Sequence, residues 1–394
     1  MKLRSLILLL LVLCLCAGTA YAITGEMFVR AGGSFAFAVG RNGMIYGWGD
    51  NTSGQLGNGT NKRVQQPLPA AVGLDGNHLV DIACGNVNAI FLMDDGSVYT
   101  CGPNNDGRQG SEDAPAYVFT PIKVEGLPEI VKIAAGFGQL MALDKDGYVW
   151  LWGRNNCGQQ GVGHRNAVYR PHRLDIEHIT DIQAGGKYCM VLCENGDIWG
   201  WGENASGQLL DASDRWQNVK APVKLSVSGQ FDKIACGGST SYGLDHDGVL
   251  WAWGKNDMLQ MGARIKGKRS AVPVKVGLPE GTEVEQIIAY NAHVALLTRD
   301  HVLYQWGRTS NGQLGIGKRN NSYPTASARE GAIHQVAVGS SCTYVLYEDG
   351  SVWSAGYSEF GQTGAYRKKM YYVTKWVNTG LNLLDGSWED PGNG

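Results

Sequence analysis

Charge of either sign is sparse in this chain. Asp, Glu, Lys and Arg supply 18% of 394 residues and nearly cancel, 34 bases against 36 acids. That balance excludes a globally basic nucleic-acid binder, though not a local basic patch. No C-x-x-C pair occurs among the nine cysteines, and no H-x-x-x-H among histidines 78, 164, 172, 178, 246, 293, 301 and 334, so nothing has metal-ligand spacing. H-E-x-x-H, G-x-S-x-G, the phosphate-binding loop and the dinucleotide fingerprint are missing as well. These absences leave no residues to nominate for catalysis, a metal or a cofactor, and the expectation is a non-enzymatic protein. Long hydrophobic runs are absent beyond the first 22 residues, so no later segment supplies the roughly 20 apolar residues that span a bilayer.

The start of the chain differs from the rest. Lys2 and Arg4 precede an apolar run from Leu6 to Leu15, and Ala20-Tyr21-Ala22 follows. A basic start, a short apolar core and an A-x-A end predict a secretory signal peptide over residues 1–22. Leu13 and Leu15 stand before Cys14 and Cys16 where a lipoprotein anchor needs a small residue. The expected mature chain begins near Ile23, carries a formal charge of about −4, and is secreted, periplasmic or held at the cell surface. It keeps Cys84, Cys101, Cys157, Cys189, Cys193, Cys236 and Cys342, an odd set that cannot be a closed disulfide framework. Cys84 and Cys236 share one Ile-Ala-Cys-Gly context and read as small buried fillers.

What the sequence has in abundance is repetition. An aromatic–glycine signature occurs seven times: Tyr46-Gly-Trp48-Gly49, Tyr99-Thr-Cys101-Gly102, Trp150-Leu-Trp152-Gly153, Trp199-Gly-Trp201-Gly202, Trp251-Ala-Trp253-Gly254, Tyr304-Gln-Trp306-Gly307 and Trp353-Ser-Ala355-Gly356. A fixed period of this length marks a chain of identical supersecondary units. Each unit holds four short apolar or alternating runs bounded by turn residues, which read as strands. Asn42-Gly43, Asp95-Gly96, Asp146-Gly147, Asn195-Gly196, Asp247-Gly248 and Asp349-Gly350 supply a tight hairpin between the second and third strands, and Asp300-His301 departs from it. Prolines 121, 171, 222, 273 and 324 open the fourth strand type, a place suited to an edge. Seven four-stranded antiparallel units closing into a ring predict an all-β, seven-bladed β-propeller over residues 23–377. Pairing of the chain ends, near Phe28-Val29 and Val373–Val377, would lock the ring, and residues 378–394 read as a loose tail.

The pattern Ile-Ala-Ala-Gly … Asp-Gly-x-Val-Trp-x-Trp-Gly … Gly-Gln-x-Gly resembles the regulator of chromosome condensation repeat, over residues 27–377. The resemblance implies macromolecular recognition by one ring face. Members include a nucleotide-exchange factor for a small nuclear GTPase, plant ultraviolet photoreceptors, and the secreted β-lactamase inhibitor protein II. The family often has His three residues after the Ala-Gly glycine; here that column reads Phe35, Asn88, Gln139, Tyr188, Thr240, His293 and Cys342. The photoreceptors have Trp one residue after it, whereas Gly33, Asn86, Phe137, Gly186, Gly238, Asn291 and Ser340 stand here, so light sensing is not expected. The Gly-Gln element reads Arg108-Gln109 in the second repeat and Leu259-Gln260 in the fifth.

Two sets of loops are candidate sites, because binding concentrates in loops on a rigid scaffold. The first lies between strands one and two: Asn86, Phe137, Lys187, Tyr188, Ser239, Asn291, His293 and Ser340. The second follows the Gly-Gln element and is basic: Lys62, Arg63, Arg165, Arg264, Lys266, Lys268, Arg269, Lys318, Arg319, Arg367, Lys368 and Lys369. The leading expectation is a monomeric module that recognises an extracellular or cell-surface protein through the first set. A binder of anionic glycan or envelope polymer through the basic loops comes second. GTPase nucleotide exchange comes last, since only His293 keeps the family's His column. No nucleic-acid partner is expected.

Overall fold

The computed structural model describes residues 25–210, 217–317, 322–327, 331–365 and 371–390. The expected signal peptide lies outside them. Twenty-eight strands form seven four-stranded antiparallel sheets, each drawn in order from one continuous stretch of chain. Blade 3 is typical, with strands Ile130–Ala135, Gln139–Asp144, Val149–Gly153 and Val168–Arg173. The blades span residues 28–69, 79–123, 130–173, 179–224, 231–275, 284–326 and 333–382. The expected seven-bladed propeller is the observed fold, and its blade phase is now fixed. First strands line a central channel and fourth strands form the rim. The second strand of blade 3, Gln-Leu-Met-Ala-Leu-Asp, is buried throughout, whereas the fourth, Val-Tyr-Arg-Pro-His-Arg, is not.

The signature residues hold the blades together. Trp152 Nε1 donates to the Arg108 carbonyl at 3.1 Å, Trp201 to Gln159 at 2.8 Å, Trp253 to Gln208 at 2.9 Å and Trp306 to Gln260 at 2.8 Å. In each case the indole of one blade reaches the loop of the preceding one. Cys101, in the same column, points its thiol at the Gln55 carbonyl. These carbonyls also correct the alignment of the second repeat: Arg108, not Gln109, occupies the glutamine position. Elsewhere that glutamine's Oε1 accepts a main-chain N–H two residues back, as Gln159 does from Cys157; Arg108 cannot accept and instead pairs with Asp106.

Three further expectations need correction. The first strand, Phe28–Ala31, and the last, Tyr372–Asn382, lie in different sheets, so paired ends do not close the ring. The closing seam uses the same contacts as the others: Trp48 Nε1 donates to the Gln362 carbonyl at 3.1 Å and Ser340 N to the Gly32 carbonyl at 3.0 Å. Nor do the residues from Asn378 onward hang loose. Thr379, Leu381 and Leu383 are buried, Arg41 N donates to the Leu383 carbonyl, and Trp388 Nε1 returns to the Thr379 carbonyl. Residues 378–390 therefore clasp blade 7 onto blade 1. Finally, Pro171 and its equivalents sit inside the fourth strand at a bulge, as between Leu151↔His172 and Gly153↔Val168, rather than opening it. The missing proline N–H falls where the ladder is already interrupted.

The hairpin turns are as expected. Gly147 has φ 83° and donates to the Asp144 carbonyl. His301 makes the same bond to Thr298 with φ 62°, so the sixth turn keeps its length and places a non-glycine residue in the left-handed region.

Candidate recognition face

Strand direction alternates within each blade, so the loops after the first and third strands emerge on one face. Both candidate sets therefore share a face, with the first near the channel mouth and the basic loops towards the rim. The signature glycine joins them. A Cβ on Gly202 (φ 105°) would strike the Lys187 carbonyl oxygen, which accepts the Glu203 N–H at 2.8 Å. Arg154, Lys255 and Arg308 tie to Gly138, Ser239 and Ala292 in the same way. Thus the residue after the signature is fixed beside the mouth in every blade but the second, where Pro103 has no N–H to donate.

A circle of hydrogen bonds runs around that mouth. Gly33 N donates to Gly85 O, Asn86 N to Gly136 O, Phe137 N to Gly186 O, Gly186 N to Gly238 O, Gly238 N to Asn291 O, and Ser340 N to Gly32 O. Between blades 6 and 7 the link passes through a side chain, Asn291 Nδ2 to Ser340 Oγ at 3.2 Å. The first candidate column is thus a rigid collar of interlocked main chain.

Phe137, Lys187, Ser239 and Asn291 come together in one cleft of about 210 Å³, completed by Glu203, Lys255, Gln260 and Ala292. Lys187 Nζ lies 4.0 Å from Glu203 and Lys255 Nζ 2.9 Å from Asp257. Burial alone would raise the Asp257 carboxyl, but the Lys255 and Gln260 donors outweigh it and hold it below the usual range. Asn86 and Ser340 sit on the same collar outside the cleft. Beside the mouth Asp106 binds Arg108 at 2.6 Å and Arg154 at 3.0 Å. Burial opposes ionisation of Asp106, yet the two guanidinium groups keep its carboxyl below the ordinary value.

Tyr188 and His293 do not belong to the surface. Both are buried between blades: Tyr188 Oη donates to Thr240 O at 2.8 Å, and His293 Nε2 lies 3.1 Å from Thr343 Oγ1. Their column begins the second strand, whose first side chain points into the seam. Glu203, Lys255, Arg154 and Asp106 were missed by sequence reasoning; for the first three the available signal was the varied residue straight after the signature glycine, and Asp106 carried none.

In the basic set, Lys62, Arg63, Arg165, Arg264, Lys266, Lys268 and Arg269 are exposed, while Lys318, Arg319, Arg367, Lys368 and Lys369 lie outside the described residues. Arg63 stacks 4.0 Å over Phe360 and lies 3.5 Å from Asp50, and Arg264 lies 5.1 Å over Tyr323. The side chains of Lys62, Arg165, Lys266 and Lys268 have no hydrogen-bond or ion-pair partner among the described residues. On the opposite face Lys145 pairs with Glu129 at 2.6 Å and Arg299 with Glu283 at 3.5 Å, the His78 and His334 rings lie 2.8 Å from Asp94 and 3.2 Å from Glu348, and Arg41 and Lys275 stand exposed without an ion pair among the described residues.

All seven described cysteines are free and buried. Burial pushes their thiols up, Cys193 to about 11 and Cys342 to about 12, which disfavours the reactive thiolate.

The RCC1-like domain profile matches residues 69–382, and regulator of chromosome condensation repeats match 42–92 and 28–55. The chain is 28% identical over 298 residues to the ultraviolet-B receptor UVR8 of Arabidopsis thaliana, covering 74% of this chain and 67% of that protein. It is 34% identical over 288 residues to the X-linked retinitis pigmentosa GTPase regulator of Mus musculus, covering 71% of this chain and 28% of that protein. The human E3 ubiquitin-protein ligase HERC2 is 28% identical over 328 residues, 81% of this chain and only 6% of its own length. Among solved structures, human WBSCR16 superposes with TM-score 0.72 at 26% identity, covering 80% of this chain and 84% of that one. Prp20p of Saccharomyces cerevisiae, described with its binding to Gsp1p and histones, superposes with TM-score 0.78 at 21% identity over 92% of this chain and 90% of that one, which is a likeness of fold. Repeat signature, blade architecture and profile agree: this chain belongs to the RCC1-like domain family.

Proposed function

We propose that the chain is a secreted recognition module, without catalytic activity of its own, that binds another protein on the face carrying the collar and the basic loops. One observation carries the reading. Sites drawn from different loops of the repeat converge on one face, around a cleft whose side chains differ from blade to blade while its main chain is locked. Rigid backbone lowers the ordering cost of association, and varied side chains supply specificity. Lys62, Arg165, Lys266 and Lys268, unpaired among the described residues, favour a partner with an acidic contact surface. A standard interface of about 1,600 Å² fits one such face. The burial of every described thiol is compatible with an oxidising exterior.

The four rim cations without a partner among the described residues also support anionic glycan as a second reading. GTPase exchange ranks below both, because it is the named property of relatives rather than of any residue pattern in this cleft.

The test is affinity capture from the extracellular fraction with three chains: wild type, Phe137→Ala/Lys187→Glu, and Asp94→Lys/Glu129→Lys on the opposite face. A partner held by wild type and the opposite-face variant but lost at least tenfold by the cleft variant is expected. Equal retention by all three removes the proposal. Retention on wall polymer, released by salt and untouched by the cleft variant, moves the reading to the glycan.

A further inference from the structure

Four asparagines stand in the N-x-S/T pattern that accepts an N-linked glycan: Asn51-Thr52-Ser53, Asn58-Gly59-Thr60, Asn204-Ala205-Ser206 and Asn320-Asn321-Ser322. The pattern alone does not choose among them. The fold does, because a glycan is bulky and replaces a proton on the carboxamide nitrogen, which must then face solvent. Asn320 lies outside the described residues.

Asn51 and Asn204 belong to the fold. Both are wholly buried, two residues after the signature glycine. Asn51 Oδ1 accepts from Leu56 N at 2.9 Å, and its Nδ2 donates to Asn58 Oδ1 at 2.9 Å and to the Thr60 carbonyl at 3.0 Å. Asn204 repeats the arrangement with Leu209 N at 2.9 Å and the Leu210 carbonyl at 3.1 Å. Asn104, Asn155 and Asn256 fill the same column and accept from the main chain five residues on, at 3.1, 2.9 and 2.9 Å. These asparagines brace the loop after the third strand from inside. A sugar on Nδ2 of Asn51 or Asn204 would break the brace and leave a buried polar group unmet.

Asn58 is different. It sits in the blade 1 loop between Ile45–Gly49 and Val64–Pro69, partly exposed, and Gly59 and Thr60 beside it are exposed. Its Oδ1 accepts from Thr60 N at 3.1 Å, Thr60 Oγ1 at 2.9 Å and Asn51 Nδ2 at 2.9 Å. Three donors on the oxygen fix the orientation of the amide, and Nδ2 has no partner among the described residues. The bond from Thr60 N closes an Asx turn, which holds the hydroxyl of the pattern against the carboxamide. Gly59, at φ 78°, stands clear: a Cβ there would meet nothing nearer than 4.0 Å.

We propose that Asn58 is an N-glycosylation site of the folded chain. The assignment rests on the secreted reading above, which brings the chain to the transferase. In the step, Asn58 Nδ2 bonds to the anomeric carbon of an oligosaccharide carried on a polyprenyl diphosphate. Nδ2 loses one proton, and the lipid diphosphate leaves as the anomeric C–O bond breaks. Every contact that Asn58 makes through Oδ1 survives the transfer. The glycan stands beside Lys62 and Arg63 on blade 1, whereas the cleft is built from blades 3 to 6. It therefore leaves the cleft open and narrows the exposed bases offered to an acidic partner towards Arg165, Lys266 and Lys268.

The whole chain is to be expressed in cultured mammalian cells under its own leader and, in parallel, under an unrelated signal peptide. Mobility before and after peptide N-glycosidase is read on the secreted protein, and mass spectrometry locates the Asn that the enzyme converts to Asp. Glycan on Asn58, and none on Asn51 or Asn204, is the expected result. Thr60→Ser should keep it and Thr60→Ala should lose it. Secreted chain with Asn58 bare, or with sugar on Asn51 or Asn204, overturns the assignment and leaves the secreted reading standing. Undiminished occupancy of Asn58 in Thr60→Ala also overturns it. Glycan on Asn58 under the unrelated signal peptide, with no export under the native leader, removes the secreted reading and upholds Asn58 as the acceptor. If Thr60→Ala is not exported, the site map of wild type still decides.

Discussion

His293 shows how one residue's position in a seam becomes a pH dependence. Burial lowers its imidazole to about 3, the Arg308 charge adds to the effect, and a main-chain bond to Cys342 opposes it without overcoming it. The folded protein therefore holds His293 neutral while the unfolded chain takes up a proton below the ordinary value of about 6.5. Stability from this group is complete above pH 6.5 and drains away as pH falls towards 3, at a slope approaching 1.4 kcal/mol per pH unit, roughly. His172, lowered chiefly by burial, acts in the same direction. Gln139 occupies the His293 column in blade 3, buried and bonded to the Gly185 carbonyl, so His293→Gln suits the site. Urea midpoints at pH 4.5, 5.5 and 7 should fall less steeply for the variant, by one proton's worth. Identical slopes would exclude His293 as a source of acid sensitivity.

At the scale of the element, the repeat signature was legible because its residues recur at a period set by the blade. Strand number and hairpin turns could be read from it, while the prolines gave the right strand but the wrong place in it. What could not be read was which side of a strand a residue faces where a loop ends. Tyr188 and Ser239 look alike as loop residues, yet one begins a strand and points into a seam while the other stays in the cleft. Arg108 was misaligned for a related reason. The fold conserves a carbonyl position, while the sequence displays a glutamine. Glu203 and Lys255 went unnoticed because nothing in a linear pattern says that the residue after the signature glycine is bonded to a distant loop. The importance of that carbonyl is measurable. Trp152→Phe removes the donor to Arg108 O and leaves a buried acceptor unmet, at an expected cost of about 1–3 kcal/mol. Chemical denaturation should show a lowered midpoint with an unchanged slope; an unchanged midpoint would mean the indole acts through packing alone.

At the scale of the molecule, the ring is a circle of near-equal seams, and the seventh differs in having no chain passing through it. The clasp formed by residues 378–390 compensates. Ending the chain at Val377 removes buried Thr379, Leu381 and Leu383 together. Large-to-small changes at such sites cost about 2–5 kcal/mol each, so a marked fall in thermal midpoint is expected. A midpoint within a degree of wild type would show that the seam holds without its clasp. Four basic-loop cations, Lys62, Arg165, Lys266 and Lys268, are unpaired among the described residues on the face where the partner is proposed to dock.

The unlinked seam has a mechanical consequence. A load applied between the two ends of the chain falls first on the clasp and on the contact between blades 7 and 1, because no covalent connection bridges them. Under tension the clasp would peel, the circle would open there, and the blades would come away one after another from the ends. A load entering through the collar, as when a docked partner is pulled away, is spread over hydrogen bonds that run through all seven blades. The molecule is thus weak when drawn out by its ends and strong when gripped by its face.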